Sequence, residues 1–228
     1  MLAQALHWLG FGLCHQLPER SFFGGGLQIP VCARDTGMYV GFVLSLAVTA
    51  LLDRGRRRSD LPAWPVLVLG GVMVAIMAWD GVAYYAGLRT TTNDLRLATG
   101  LLTGWALPLI VAPLVNSQLW ESSSSGRVLD GWREVGAWLL PLPAAFVLVR
   151  WVLPLAGVAY PMLVAGCVVA TFVSVNLIIA TLVPRLERRA VSLLSAWPAL
   201  LVGLALSAIE IGGTAWLRAW LQSLAVLR

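Results

Sequence analysis

The chain contains no lysine and few charged residues of any kind. Its 16 basic residues are all arginine, and charged residues make up 12% of the 228 positions. Soluble domains carry about 25% charged residues. A composition with half that share excludes an ordinary soluble domain and indicates an integral membrane protein.

The net charge of +5 does not indicate nucleic-acid binding. Nucleic-acid binders gather basic residues on a polar surface, with aromatic residues between them. Here the arginines fall in short segments between apolar runs, where they determine membrane topology. We therefore expect membrane lipid, and no nucleic acid, as a partner of this chain.

Cysteine is also scarce, with three residues, which is too few for a disulfide framework. Cys167 lies within an apolar run and is expected to be a small buried residue. Cys14 and Cys32 lie instead among polar residues near the start of the chain. Residues 1–13 lack a basic region and a typical cleavage site, so no cleavable signal peptide is predicted.

Long apolar runs dominate the rest of the sequence. Hydrophobic residues make up 59% of the chain, and the mean hydropathy is +0.81. A helix crosses the bilayer with about 20 apolar residues, whereas membrane strands alternate over about ten. We predict an all-α, polytopic transmembrane helix bundle of six spans, at residues 37–52, 63–85, 95–116, 135–155, 160–184 and 191–221.

The predicted domain organisation is a single integral membrane domain over residues 1–228. Residues 1–36 form an N-terminal motif segment and loop, and residues 37–228 form the bundle. As a helix, residues 1–13 would reach only about 20 Å, so we expect a short membrane-associated helix there. Two glycine pairs, Gly37 with Gly41 and Gly100 with Gly104, offer faces for close helix packing.

Arginine is concentrated in the first, third and fifth loops between spans. Because cytoplasmic loops carry an excess of basic residues, this side is predicted to be cytoplasmic. The N-terminal motif and the loop around residues 89–96 are then expected on the non-cytoplasmic face. The nine loop arginines are Arg54, Arg56, Arg57, Arg58, Arg127, Arg133, Arg185, Arg188 and Arg189.

The N-terminal segment offers four candidate metal ligands, Cys14, His15, Cys32 and Asp35. Thiolate, imidazole and carboxylate groups together suit zinc in a tetrahedral site. A disulfide between Cys14 and Cys32 is an alternative on an oxidising face. Redox-active thiols are a third possibility.

A second set of polar residues is expected at the same membrane face and suits an anionic group. Arginine binds phosphate through two parallel hydrogen bonds, and Asp80 would orient an arginine or act as a base. The alternative is that these arginines contact lipid head groups or pair with Asp80 and Asp94. Asn93 or Thr92 could also cap the next helix. The candidate substrate-binding residues are Arg20, Arg34, Arg89, Asn93 and Arg96.

Glu210 and Asn176 are polar residues inside predicted spans that are further candidates for function. Glu210 lies between two isoleucines, and Asn176 lies in the fifth span. Ionisable residues within a membrane are candidates for function because burying them is costly. Arg150 or Asn176 would be the expected partner of Glu210.

Both polar motifs resemble the signature of a family of small prokaryotic membrane proteins of unknown function. The first motif contains Cys14-His15-Gln16, Arg20-Ser21-Phe22, Pro30-Val31-Cys32-Ala33-Arg34, Thr36-Gly37-Met38-Tyr39 and Gly41. The second contains Asp80-Gly81, Gly87-Leu88-Arg89, Asn93, Arg96, Thr99-Gly100 and Gly104. The family pattern has a cysteine where this chain has Asp35. The aspartate weakens a thiol-redox function but still allows zinc ligation.

Three functions remain open from the sequence. The first is a metal-assisted membrane enzyme that holds zinc and acts on a lipid or lipid-linked phosphate. The second is a non-catalytic subunit of a larger membrane complex, respiratory, photosynthetic or transport, with other membrane proteins as partners. The third is a small transporter that uses Glu210 as its coupling residue.

Overall fold

The protein is a bundle of helices with two small pairs of strands outside the membrane spans. The computed structural model describes residues 1–226, with side chains up to Leu224. The helices are α1 (Leu2–Phe11), α2 (Ala33–Asp53), α3 (Trp64–Tyr85), α4 (Asn93–Ala106), α5 (Pro108–Leu119), α6 (Trp132–Leu139), α7 (Leu142–Val147), α8 (Ala159–Ala180) and α9 (Trp197–Val226). The strands are β1 (Phe23–Gly24), β2 (Leu27–Gln28), β3 (Arg58–Asp60) and β4 (Ser124–Arg127).

Six helical stretches in the described residues are long and apolar enough to cross a membrane, which confirms the predicted all-α bundle. α2, α3, α8 and α9 each form one span. α4 and α5 together form the third span, and they are divided at Pro108, which has no N–H to donate to the preceding turn. The fourth span combines α6 and α7 with a π-helical turn (Leu148–Val152) and a 3₁₀ turn (Leu153–Ala156).

The boundary between the last two spans differs from the prediction. The fifth span ends at Ala180 rather than at 184, and the sixth begins at Trp197 rather than at 191. Between them, the Ser195 hydroxyl accepts hydrogen bonds from the backbone N–H groups of Val191 and Ser192. These local bonds compete with helix formation, so the apolar residues of this segment remain outside the helix.

The closest helix pair is α2 against α4, and it depends on the two predicted glycine pairs. A Cβ on Gly100 would overlap the carbonyl oxygen of Arg34, and a Cβ on Gly104 would overlap that of Met38. On α2, Gly37 likewise approaches the backbone of α4. Glycine therefore allows the two backbones to touch, as in small-residue contacts between membrane helices.

A buried polar triangle joins three helices in the core. The Ser45 hydroxyl donates to the Trp105 carbonyl (2.7 Å), and the Trp105 indole donates to the Trp138 carbonyl (3.0 Å). The Trp138 indole donates in turn to Ser45 Oγ (2.9 Å). Each buried donor is thereby satisfied, which holds α2, α4 and α6 in one arrangement.

The three arginine-rich loops meet at one end of the bundle. β3 pairs with β4 in parallel, and Trp120 forms a backbone bridge with Ala190. Arg58 donates to Asp53 (2.8 Å) and forms two hydrogen bonds with Glu134 (2.9 and 3.0 Å), and these carboxylates raise the pKa of Arg58. This arrangement agrees with the prediction from the sequence that the three loops lie on the same side of the membrane.

Candidate functional site

Cys14 is held in place by contacts from distant parts of the chain. Its N–H donates to the Gly10 carbonyl (2.9 Å), directly after α1 ends. Arg218 of α9 donates to the Cys14 carbonyl (2.6 Å), and the Gln16 side chain donates to the Pro30 carbonyl (2.8 Å). The segment after α1 is therefore tied both to α9 and to the residues that precede α2.

Cys32 and Asp35 are positioned by the start of α2. Cys32 is the residue immediately before the helix, and Asp35 lies in its first turn. The Cys32 thiol lies 3.2 Å from Asp35 Oδ2, and the Cys32 N–H donates to Cys14 Sγ (3.2 Å). One ligand atom from each of the three residues lies within 4.8 Å of the other two. This spacing allows all three to contact one metal ion.

The environment of Cys14 favours its charged form. Hydrogen bonds from Cys32, chiefly from its side chain and also from its N–H, lower the pKa of the Cys14 thiol below its usual range. The thiolate is the form that binds metal. All three cysteines are free in the part of the chain that the structure describes.

His15 does not join this cluster. Its side chain is exposed, and the set of residues that could hold an ion consists of Cys14, Cys32 and Asp35 alone among residues 1–226. His15 lines both the polar cavity next to these three residues and a second cavity of about 380 Å³ that His7 also lines. Adjacent side chains diverge on this irregular segment, so the His15 nitrogens lie outside the group of ligand atoms within 4.8 Å of one another.

Asp80 lies buried between two arginines from different motifs. Its side chain is 2% exposed and forms an ion pair with Arg34. Its other oxygen accepts a hydrogen bond from Arg89 (2.8 Å), and Thr91 also donates to it (3.2 Å). This arrangement fits the expectation that Asp80 orients an arginine.

Arg20 and Arg96 both lie close to the Tyr84 ring. Arg20 donates to the Tyr84 hydroxyl (2.9 Å), and the two guanidinium carbons lie 5.0 and 5.2 Å from the ring centre. Arg96 also donates to the Asn93 side chain (3.0 Å), which donates to the Glu19 carbonyl (3.0 Å). These contacts join the N-terminal motif to the loop around residue 90.

Thr92 caps α4, because its hydroxyl accepts a hydrogen bond from the Leu95 N–H (3.2 Å). Of the two residues predicted as caps, Thr92 therefore takes that position, and Asn93 is the first residue of the helix. The side chain of Asn93 is thereby free to connect Arg96 to the N-terminal motif.

The two motifs together line a polar cavity of about 150 Å³. All four predicted metal ligands and three arginines line it, whereas Asp80, Arg89 and Asn93 are not among its lining residues. An apolar groove of about 560 Å³ along α3 adjoins this cavity through Arg34 and Tyr85, which line both. The cavity residues that argue for binding are Cys14, Cys32, Asp35, Arg20, Arg34 and Arg96.

Sequence reasoning missed Tyr84 and Tyr85 as parts of this site. Tyr84 follows Asp80 by four residues on one helix, a spacing that places two side chains on the same face. Helical spacing from Asp80 could therefore have identified Tyr84. The apolar groove had no comparable signal, because every span has apolar faces.

Glu210 and Asn176 lie apart from the cavity lining. Glu210 accepts a hydrogen bond from Asn176 (2.9 Å), which also donates to Ser207 (3.1 Å). Asn176 is thus the partner of Glu210. Arg150, the other candidate, pairs with Asp94 instead, because both lie at the membrane end that holds the cavity.

The fold and site define a polytopic α-helical membrane protein with a polar cavity at one membrane face. The chain belongs to the family described as "Predicted membrane protein (DUF2085)", which matches residues 14–110. This region contains both motifs and the first three spans up to the start of α5.

Two archaeal relatives support this assignment. The chain is 31% identical over 103 residues to an uncharacterized protein of Methanothermobacter thermautotrophicus, covering 45% of this chain and 86% of that protein. It is 28% identical over 109 residues to an uncharacterized protein of Methanocaldococcus jannaschii, covering 48% of this chain and 67% of that protein. No solved structure matches the chain.

Proposed function

We propose that this protein binds a metal ion and acts on the phosphate group of a lipid or lipid-linked substrate at the membrane surface. The observation that carries this proposal is the continuity of two spaces. A polar cavity with metal ligands and arginines adjoins an apolar groove, and Arg34 and Tyr85 line both.

Zinc is the proposed ion, held by Cys14, Cys32 and Asp35. Three protein ligands leave a fourth tetrahedral position open, as in catalytic zinc sites. The open position would accept water or a phosphoryl oxygen. Zinc bound there would polarise that oxygen and stabilise the developing charge. The spacing of the three ligand atoms, within 4.8 Å of one another, supports this assignment.

The arginines supply the proposed contacts to the anionic group. Arg34 is oriented by Asp80, and its Nε is buried without a hydrogen-bond partner in the described residues. Arg20 and Arg96, which both lie close to the Tyr84 ring, also line the cavity. A planar guanidinium group binds two phosphate oxygens through parallel hydrogen bonds. These arginines therefore support a phosphate rather than a neutral ligand.

The groove along α3 is the proposed site of the lipid chain. Its lining is apolar apart from Arg34, and it includes Gly81, which has no side chain to obstruct it. A lipid whose head lies in the cavity could therefore keep its chain within the bilayer. A free phosphate ion would use the cavity but not the groove.

The site is proposed to face away from the cytoplasm. Nine arginines lie in the loops at the opposite end of the bundle, and cytoplasmic loops carry such an excess. The substrate would then come from the outer leaflet.

Metal analysis of the purified protein tests the ligand assignment. We expect one zinc per chain in the wild type, loss of that zinc in Cys32→Ser, and retention in the control Cys167→Ser. Phosphate release from vesicles that contain phosphatidate, compared with release from glycerol phosphate, tests the lipid specificity. A wild-type protein without zinc, or a Cys32→Ser protein that retains it, would contradict the proposal.

The second candidate function is a subunit of a larger membrane complex, and Glu210 favours it. This residue lies near the middle of α9, yet its side chain is exposed on the surface of the chain. A carboxyl group facing lipid at that depth is costly, so a neighbouring protein that covers it would be stabilising. Cross-linking in native membranes tests this: a partner should be captured by the wild type and lost in Glu210→Leu.

A further inference from the structure

A second ligand-sized cavity lies at the other membrane end of α2. It has a volume of about 410 Å³, and α2, α5, α8 and the segment before α9 form its walls. Thr49 and Asp53 contribute from the last turns of α2, whereas Cys32 precedes the first turn. The 21 residues of α2 separate these ends by about 30 Å, so this cavity is independent of the proposed metal site.

The mouth of this cavity carries an arginine without an acidic partner. The guanidinium of Arg57 stacks on the Trp120 ring at 3.9 Å and donates to the Val191 carbonyl (2.9 Å). Among residues 1–226 no carboxylate lies within salt-bridge distance of Arg57. Asp53, which also lines the cavity, is paired with Arg58 (2.8 Å) and accepts a hydrogen bond from the Arg57 backbone N–H. The Arg57 guanidinium itself therefore has no carboxylate partner at the mouth of the cavity.

The lining of the cavity is mostly apolar, and two of its polar side chains already have partners: Ser174 donates to the Ala170 carbonyl (2.7 Å) and Asn116 to the Arg58 carbonyl (2.9 Å). Thr49 is 4% exposed, and its Oγ1 has no hydrogen-bond partner in the described part of the chain. It lies four residues before Asp53, about one turn deeper in the membrane. A buried hydroxyl without a partner costs free energy, so a ligand oxygen within its reach would be stabilising.

We infer that this cavity binds an anionic amphiphile with a single long acyl chain. The anionic head group of this ligand, a carboxylate, would pair with Arg57 at the mouth of the cavity. Its acyl chain would lie against Leu46, Val111 and Leu177. The volume falls within the usual range of small-molecule pockets, about 300–1,000 Å³. Bilayer lipid surrounds an acyl chain as favourably as aliphatic side chains do. Selectivity must therefore come from the head group.

A binding titration of the purified, delipidated full-length protein in a non-ionic detergent tests this inference. Radiolabelled hexadecanoate is the probe, and hexadecanol is the uncharged competitor of equal chain length. We expect saturable binding of one hexadecanoate per chain, and competition by hexadecanol at least tenfold weaker than by unlabelled hexadecanoate.

Two substitutions should weaken this binding for different reasons. Arg57→Gln removes the charge at the mouth and should weaken hexadecanoate binding at least tenfold. Thr49→Val keeps the shape and removes the hydroxyl, and should weaken it about threefold. Arg56→Gln is the matched control, because Arg56 is an exposed neighbour outside the cavity lining, and binding should remain unchanged.

The inference would be overturned if Arg57→Gln bound hexadecanoate as tightly as Arg56→Gln, or if hexadecanol competed as well as unlabelled hexadecanoate. Binding by the wild type that cannot be saturated would indicate partition into detergent and would also overturn it. Circular dichroism of each variant verifies that it is folded.

Discussion

At the scale of single residues, the candidate site depends on a few buried charges whose partners come from distant positions. Asp80 connects Arg34 at the start of α2 with Arg89 in the loop after α3. The Asp80 carboxyl group is 2% exposed, and the two guanidinium groups that contact it compensate the cost of its burial. This pairing leaves Arg34 directed toward the cavity and joins the two motifs.

Replacing Asp80 with asparagine should therefore affect both stability and the site. Breaking a buried ion pair by removing one partner costs about 3–5 kcal/mol. We expect a loss of that size in the free energy of unfolding, measured by denaturant titration in detergent, together with weaker binding of phosphatidate. Asp60→Asn is the control, since Asp60 is exposed and forms no salt bridge in the described residues. Equal stabilities of the two variants would contradict this account.

The buried triangle gives a second prediction for a single residue. Ser45→Ala removes the acceptor of the Trp138 indole and leaves that donor buried without a partner. We expect a loss of about 1–3 kcal/mol in the free energy of unfolding. Ser122→Ala, in an exposed loop, should change it little. A Ser45→Ala protein as stable as the wild type would show that the indole finds another acceptor.

At the scale of elements, the glycine contacts between α2 and α4 position the site. Gly100 touches the backbone of Arg34, the residue that lines both the cavity and the groove. Any separation of these helices moves Arg34 relative to Tyr85 on α3. Helix packing and ligand geometry are therefore coupled at this point.

Gly100→Ala should destabilise the protein although alanine favours helix formation. The new methyl group would overlap the carbonyl oxygen of Arg34, and neither backbone can move without breaking contacts. We expect a loss of about 1–3 kcal/mol, measured by thermal unfolding in detergent. Gly166→Ala is the matched control, because open space surrounds Gly166 in α8, and it should be neutral or stabilising. A similar result for both variants would count against close contact of α2 and α4.

At the scale of the whole molecule, charge is distributed unequally between the two ends of the bundle. The loops that carry nine arginines meet at one end, whereas the cysteine motif and the loop around residue 90 meet at the other. The first end carries the cavity at Arg57, and the second carries the proposed metal site. The asymmetry predicts the orientation of the chain in the membrane.

Cysteine labelling tests this orientation. Thr90→Cys and Ser122→Cys each place a thiol at an exposed loop position, at opposite ends of the bundle. In intact cells, a membrane-impermeant maleimide should label Thr90→Cys above the wild-type level, and should label Ser122→Cys only after permeabilisation. The reverse pattern would place the proposed metal site on the cytoplasmic face.

Much of the architecture could be predicted from local sequence, because apolar length alone identifies a membrane helix. The start of the last span was misplaced, since hydropathy does not detect the hydrogen bonds of Ser195 that keep residues 191–196 out of the helix. His15 was included among the ligands because imidazole suits zinc together with thiolate and carboxylate. The structure places His15 in the lining of the same polar cavity, but neighbouring side chains diverge on this irregular segment, and the His15 nitrogens lie outside the group of ligand atoms formed by Cys14, Cys32 and Asp35.

Local sequence patterns were sufficient to predict the number of membrane spans, the glycine faces of α2 and α4, and the two motifs that contain the site residues. These features follow from hydropathy, residue size and side-chain chemistry, which act locally. The packed helices were needed to show that Asp80 joins Arg34 to Arg89, that Asn176 rather than Arg150 contacts Glu210, and that the polar cavity adjoins a groove on α3. Such contacts join residues that are far apart in the sequence, and they depend on how the helices pack. Local sequence patterns do not predict that packing.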